Sequence, residues 1–179
     1  MKGVVFTEFM EMVESQFSID TLDQVIDQAE LPNQGAYTAV GTYDHGELVR
    51  MVVALSGLTG VPTGDLVKAF GRYMFGRFHL LYPRFFEGVP DAITFLSGIE
   101  NVIHAEVIKL YPDAQLPRFD CHMVPDGLDM VYHSPRHFED LALGLLEGAL
   151  AHWGGGYSVN LQPAANGGSL FQVRRLVGA

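Results

Sequence analysis

Three places in the chain carry side chains suited to chemistry: His104 in a long apolar segment, Pro117 thirteen residues later, and the run Tyr132-His133-Ser134-Pro135-Arg136. Neutral imidazole is the commonest metal-binding side chain. His104 is therefore either a metal or haem ligand or a core histidine bonded to a carbonyl, and position alone does not choose. At 100° per residue, its helix gathers Ile93, Leu96, Val107, Ile108 and Tyr111 around the same side. In an extended segment, residues i, i+2 and i+4 share a face. Tyr132, Ser134 and Arg136 then present two hydroxyls and a guanidinium together, a set that matches a carboxylate. A polar, solvated strand face is the plainer alternative. Pro117, in Leu116-Pro117-Arg118-Phe119, reads locally as a boundary proline.

The elements that must position these groups follow from hydrophobic period and breakers. Val4 to Gln16 predicts an amphipathic helix with Val5, Phe9, Met12 and Val13 on one stripe and Glu8, Glu11 and Glu14 largely off it. Asp20 or Thr21 can cap a second helix carrying Leu22, Val25 and Ile26, and Leu31-Pro32-Asn33-Gln34-Gly35 breaks the chain. A third helix starts near Asp44 and runs to Gly57; a fourth follows Pro62, from about Thr63 to His79. A long helix spans about Asp91 to Tyr111. Arg118–Val124 and Leu128–Ser134 around Pro125-Asp126-Gly127 read as a β-hairpin, and a helix from about Phe138 to Trp153 follows. Two more strands, about Tyr157–Gln162 and Ser169–Leu176, flank Ala164-Ala165-Asn166-Gly167-Gly168. The pattern is α+β: helices first, then a four-stranded antiparallel sheet with a helix across it.

Bulk properties exclude several classes. With 179 residues, 48% of them hydrophobic and 18% charged, the chain suits one domain, or two closely packed subdomains, with a substantial core. A formal net charge of −10 repels nucleic acid and anionic lipid, and no Lys/Arg run marks a basic patch. Cys121 is the single cysteine, which rules out an intramolecular disulfide and a cysteine-rich zinc site and suits a reducing cytoplasm. No apolar run approaches the roughly 20 residues of a membrane span, and Glu8, Glu11 and Glu14 interrupt any leader-like start. The reading is a soluble, cytoplasmic protein. Neither a Gly-x-Ser-x-Gly elbow nor a His-Glu-x-x-His motif is present to support a hydrolase built on His104 with Glu100 or Glu106. Pro135 argues against a helical metal site at His133 and His137, and His45, His79, His122 and His152 have no convincing partners.

Together, the helical histidine, the proline and Tyr-x-Ser-x-Arg are far more specific than each alone. They resemble the haem–nitric oxide/oxygen binding (H-NOX) family, which includes the sensory domain of soluble guanylate cyclase. The resemblance runs from the Met-Lys-Gly opening through Leu145-Leu146-Glu147-Gly148 to the last hairpin. It implies a single haem-binding domain over 1–179, with a helical part of about 1–60 and a haem-sheet part of about 61–179. A haem b would lie between them, with no Cys-x-x-Cys-His to attach it covalently. His104 would be the proximal iron ligand, Tyr132, Ser134 and Arg136 would hold the propionates, Pro117 would press on the porphyrin, and Asp44 would pair with Arg136.

The family pattern puts Val5, Phe9, Met74, Phe75, Phe78, Leu141 and Leu145 on the distal wall, with Leu141 where oxygen-binding relatives carry tyrosine. None of the seven is a good hydrogen-bond donor, and bound oxygen depends on such a donor far more than nitric oxide or carbon monoxide does. The resemblance thus implies a non-enzymatic sensor of nitric oxide and carbon monoxide that excludes oxygen. Loss of the His104–iron bond would relax the haem against Pro117 and signal to a separate chain, a histidine kinase or a cyclic-di-GMP enzyme. The alternative is a carrier of an apolar carboxylic acid clamped by Arg136, which leaves His104 without a role.

Overall fold

The computed structural model describes residues 1–165 and 167–176. Its helices are α1 (Gly3–Gln16), α2 (Ile19–Gln28), α3 (His45–Thr59), α4 (Thr63–Leu81), α5 (Ala92–Ser97), α6 (Ala105–Leu110) and α7 (Glu139–His152). A π-helical segment, Ile99–His104, joins α5 to α6, and a short 3₁₀ turn covers Pro83–Phe85. The strands are β1 (Arg118–Val124), β2 (Gly127–His133), β3 (Tyr157–Pro163) and β4 (Ser169–Arg175), in one antiparallel sheet ordered β1-β2-β4-β3. The α+β plan with four antiparallel strands is as the sequence indicates. Asn166, in the loop expected between the last two strands, lies outside the described residues.

Contacts divide the chain into two compact units, Met1–Phe70 and Gly71 onward, with the boundary inside α4. In the first unit, Phe6, Phe9, Val13, Val25, Met51 and Leu55 form a dry core. Side-chain oxygens start its helices: Ser18 accepts the Thr21 N–H at 3.1 Å, and Asp44 accepts the Gly46 N–H at 3.0 Å. Ser18, not Asp20 or Thr21, is thus the cap of α2. The start of α1 lies against the 38–43 segment so closely that a Cβ on Gly3 would sit 1.8 Å from the Thr38 carbonyl oxygen. Glu8 is buried, contrary to its expected place off the apolar stripe of α1.

In the second unit the sheet buries Phe119, Leu128, Met130, Tyr132, Phe171 and Val173 on one face, against Ala142, Leu146, Ala149 and Leu150 of α7. Period-2 alternation and a helical stripe therefore meet in one core. The α4 and α7 backbones approach through glycine: a Cβ on Gly71 would stand 2.4 Å from the Leu141 carbonyl oxygen and 2.8 Å from the Gly144 Cα. Arg72 donates to Glu147 across the same pair of helices at 2.6 Å.

Candidate functional site

The expected long helix from Asp91 to Tyr111 is three pieces. Asp91 caps α5 by accepting the Thr94 N–H at 2.8 Å. After Gly98 the backbone widens into the π form, with the Ile103 N–H reaching back five residues to the Gly98 carbonyl at 3.4 Å. Glycine sustains α geometry poorly, and π turns occur mostly as single interruptions, often at functional sites. His104 is the last residue of that turn. The turn changes which side chains share its side: Leu96 is buried as expected, whereas Ile108 is 40% exposed.

The His104 side chain is only 15% exposed. Its Nδ1 is buried and, among the described residues, has no hydrogen-bond partner. Glu100 Oε2 lies 3.3 Å from it, a distance that suits an ion pair without the alignment of a hydrogen bond. Burial pushes the imidazole pKa below its ordinary value, against the opposing pull of Glu100, so the ring is neutral near pH 7. The same Glu100 oxygen accepts the Phe119 N–H at the start of β1, at 2.9 Å.

A line of rings leads from His104 into the sheet. His104 and Phe119 are 6.0 Å apart, Phe119 and Tyr132 5.3 Å, and Tyr132 and Phe171 6.0 Å. Tyr132 is buried on β2, and that burial raises its pKa; the Ser134 hydroxyl and the Phe138 backbone beside it oppose the rise. The extended run stops at His133, however, so strand alternation does not place Ser134 and Arg136. A turn does so instead, with Ser134 Oγ accepting the Arg136 N–H at 3.2 Å. Pro135 causes this, since it removes a backbone donor and fixes its own φ.

The Arg136 guanidinium donates to the Gln115 carbonyl at 2.7 Å and to Gln115 Oε1 at 2.6 Å. Gln115 thereby ties the motif arginine to the segment holding half-buried Pro117. Nothing in the spacing pointed to Gln115, because an exposed glutamine in a connector carries no periodic signal. Asp44 stands at the head of α3, where the Gly46 N–H lowers its carboxyl pKa.

The residues expected on the distal wall fall in both units. In the first, Val5 is half-buried and Phe9 fully buried, edge-on to Phe70 at 5.2 Å. In the second, Met74 and Phe75 are buried on α4, while Phe78, Leu141 and Leu145 are half-buried. Phe75 packs edge-on to Phe86 and Phe95, at 5.6 and 5.8 Å, in a ring cluster that also holds Trp153. His79 and His152, expected to lack partners, are ring neighbours at 4.5 Å beside that cluster.

The chemistry of the donor set fits a haem. A mostly buried, neutral imidazole whose Nδ1 faces a carboxylate can give its other nitrogen to a metal. Among the described residues no group of three or more His, Cys, Asp or Glu could hold a bare ion. One protein ligand suffices where the metal brings its own equatorial ligands, as haem iron does.

Residues 2–160 match the family model described as Haem-NO-binding. The chain belongs to this H-NOX family of haem-based gas sensors. It resembles the Fe(II) unliganded H-NOX protein of K. algicida at 34% identity and a TM-score of 0.90, over 98% of this chain and 97% of that one. The H-NOX of Shewanella woodyi, solved bound to IWP-051 in the Fe(II)CO state, is 36% identical, with a TM-score of 0.85 over 100% and 97% of the two chains. That of S. oneidensis in the Fe(II)NO state is 25% identical, with a TM-score of 0.87 over 98% and 99%. A comparison with curated protein sequences finds no match. Among the described residues, no helix is long and apolar enough to cross a membrane.

Proposed function

We propose that this protein is a cytoplasmic sensor of nitric oxide and carbon monoxide, holding one haem b through His104 within a single domain spanning 1–179, with a helical part of about 1–60 and a haem-sheet part of about 61–179. The observation that carries the reading is the His104 imidazole at the end of the π turn, only 15% exposed and held neutral by burial, with Glu100 facing its Nδ1 and leaving the other ring nitrogen for a metal. Haem iron supplies the gas-binding position; the protein decides which gas occupies it. Tyr132, Ser134 and Arg136 hold the propionates, where a guanidinium offsets much of the cost of taking a carboxylate from water. Pro117, whose segment Gln115 ties to Arg136, would press on the porphyrin.

Val5, Phe9, Met74, Phe75, Phe78, Leu141 and Leu145 form the gas side, and none of them donates a hydrogen bond. A hydrogen bond to a charged acceptor contributes about 1.5–3 kcal/mol. Its lack costs oxygen about ten- to a hundredfold in affinity, while nitric oxide and carbon monoxide lose little. The signal passes to a separate chain, a histidine kinase or a cyclic-di-GMP enzyme, and the domain has no catalytic role of its own.

The absorption spectrum of the purified protein tests the reading. The reduced form is expected to show a Soret band that shifts with nitric oxide and with carbon monoxide and is indifferent to air. His104→Gly should lose the band and regain it with added imidazole. A colourless protein after expression with ample haem would end the proposal and leave Arg136 as the clamp of some other carboxylate.

A further inference from the structure

We infer that Glu100 is a positioning residue for His104, setting the strength of its bond to iron while tying that histidine to the first strand of the sheet. This rests on His104 being the haem ligand. Glu100 is the second residue of the short π turn and His104 its last, and one carboxylate oxygen serves two neighbours: the Phe119 N–H at 2.9 Å and His104 Nδ1 at 3.3 Å. A histidine that gives one nitrogen to a metal keeps its proton on the other, and a carboxylate facing that proton makes the ring a stronger donor to the metal. Nδ1 is the buried nitrogen without an aligned partner, and Glu100 is the carboxylate in reach of it. A small rotation of either side chain completes the hydrogen bond.

The second half of the contact gives Glu100 a mechanical role. The Phe119 N–H belongs to β1, at the edge of the sheet, two residues beyond Pro117. Movement of His104 with its metal is therefore felt at β1 through a single oxygen atom. Equally, a shift of β1 alters how well that oxygen faces the imidazole. Glu100 thus couples the strength of the proximal bond to the position of the sheet.

The test uses the full haem-loaded chain, reduced and free of added gas, with Glu100→Gln and Glu100→Ala. Two measurements are made: the iron–histidine stretching band by resonance Raman, and the rate of haem transfer to apomyoglobin. Both variants should lower the stretching frequency and release haem on the order of tenfold or more faster, the size that outer partners commonly confer on metal affinity. Glutamine keeps an oxygen for the Phe119 N–H but removes the charge. A shift in Glu100→Gln therefore reports on the imidazole and not on the strand anchor, and it decides the matter even if the alanine variant does not fold. Wild-type frequency and wild-type haem release in Glu100→Gln would overturn the proposal while leaving His104 as ligand. Absence of the band from the wild-type protein, or its survival in His104→Gly, would remove the His104 assignment and Glu100 with it.

Discussion

The α4–α7 contact and the segment running from α5 through the π turn to α6 are two parts of one unit made from opposite materials. The first is close-packed and mostly apolar, with Met74 and Phe75 buried, a glycine letting two backbones meet, and its one described ion pair, Arg72–Glu147, partly exposed. The second is irregular and carries charge, with Glu100 placed between an imidazole and a strand amide. In the proposed sensor, a wall of this kind offers no hydrogen bond to any gas, so selection there would be by omission. A carboxylate beside a buried imidazole can adjust the electronic character of a ligand. In the proposed sensor, which gas binds and how strongly the iron is held would thus be set by different residues on different elements.

The largest expected effect sharpens the polar side. Burial, then the charges of Glu100 and Asp120, push the Cys121 thiol from 9.0 up to about 11. At pH 8 its thiolate is depleted about a hundredfold relative to the unfolded chain. Alkylation by iodoacetamide should be slower by that order in the native protein and accelerate as pH rises toward 11. A native rate equal to the unfolded one would show that this side is not screened from water as described.

The next tests the dry wall. Leu141→Tyr places a hydroxyl donor on α7 and should raise oxygen affinity by about ten- to a hundredfold, read as a spectral change of the reduced protein in air. If air still leaves the spectrum untouched, donor absence is not what excludes oxygen. Smaller, and purely mechanical, is Gly71→Ala. The added methyl must displace the Leu141 carbonyl or the Gly144 backbone, which costs about 1–3 kcal/mol in an overpacked contact, measurable by urea denaturation. The smallest is Arg72→Ala: both partners of the Arg72–Glu147 bridge are partly exposed, so its loss should cost less than about 1 kcal/mol. A larger loss would mean that charge, and not close backbone packing, holds these helices together.

Much of this was legible in residue order, and the exceptions have physical causes. Helix starts at Asp44 and Asp91 and the strands of the hairpins follow from side-chain caps and alternation, which are local. The π turn at Ile99–His104 was not, because a 3.6-residue period fitted across it looks continuous even when one turn is wider. Nor was the burial of Glu8 or the pairing of His79 with His152, since both depend on which other element packs there. Among the candidate site residues, His104 and Tyr132 stand out by type and spacing. Glu100 and Gln115 do not, because each acts through a contact distant in sequence: Glu100 with a backbone N–H nineteen residues on, and Gln115 with the Arg136 guanidinium twenty-one residues on.

The order β1-β2-β4-β3 has a consequence for how the protein is made. The inner place beside β2 belongs to β4, whose residues, Ser169–Arg175, leave the ribosome after every other strand. Until they emerge, the strand bearing Tyr132 has a neighbour on one side only. The sheet can therefore close around β2 only after β4 has emerged, although β1 and β3 are made before it.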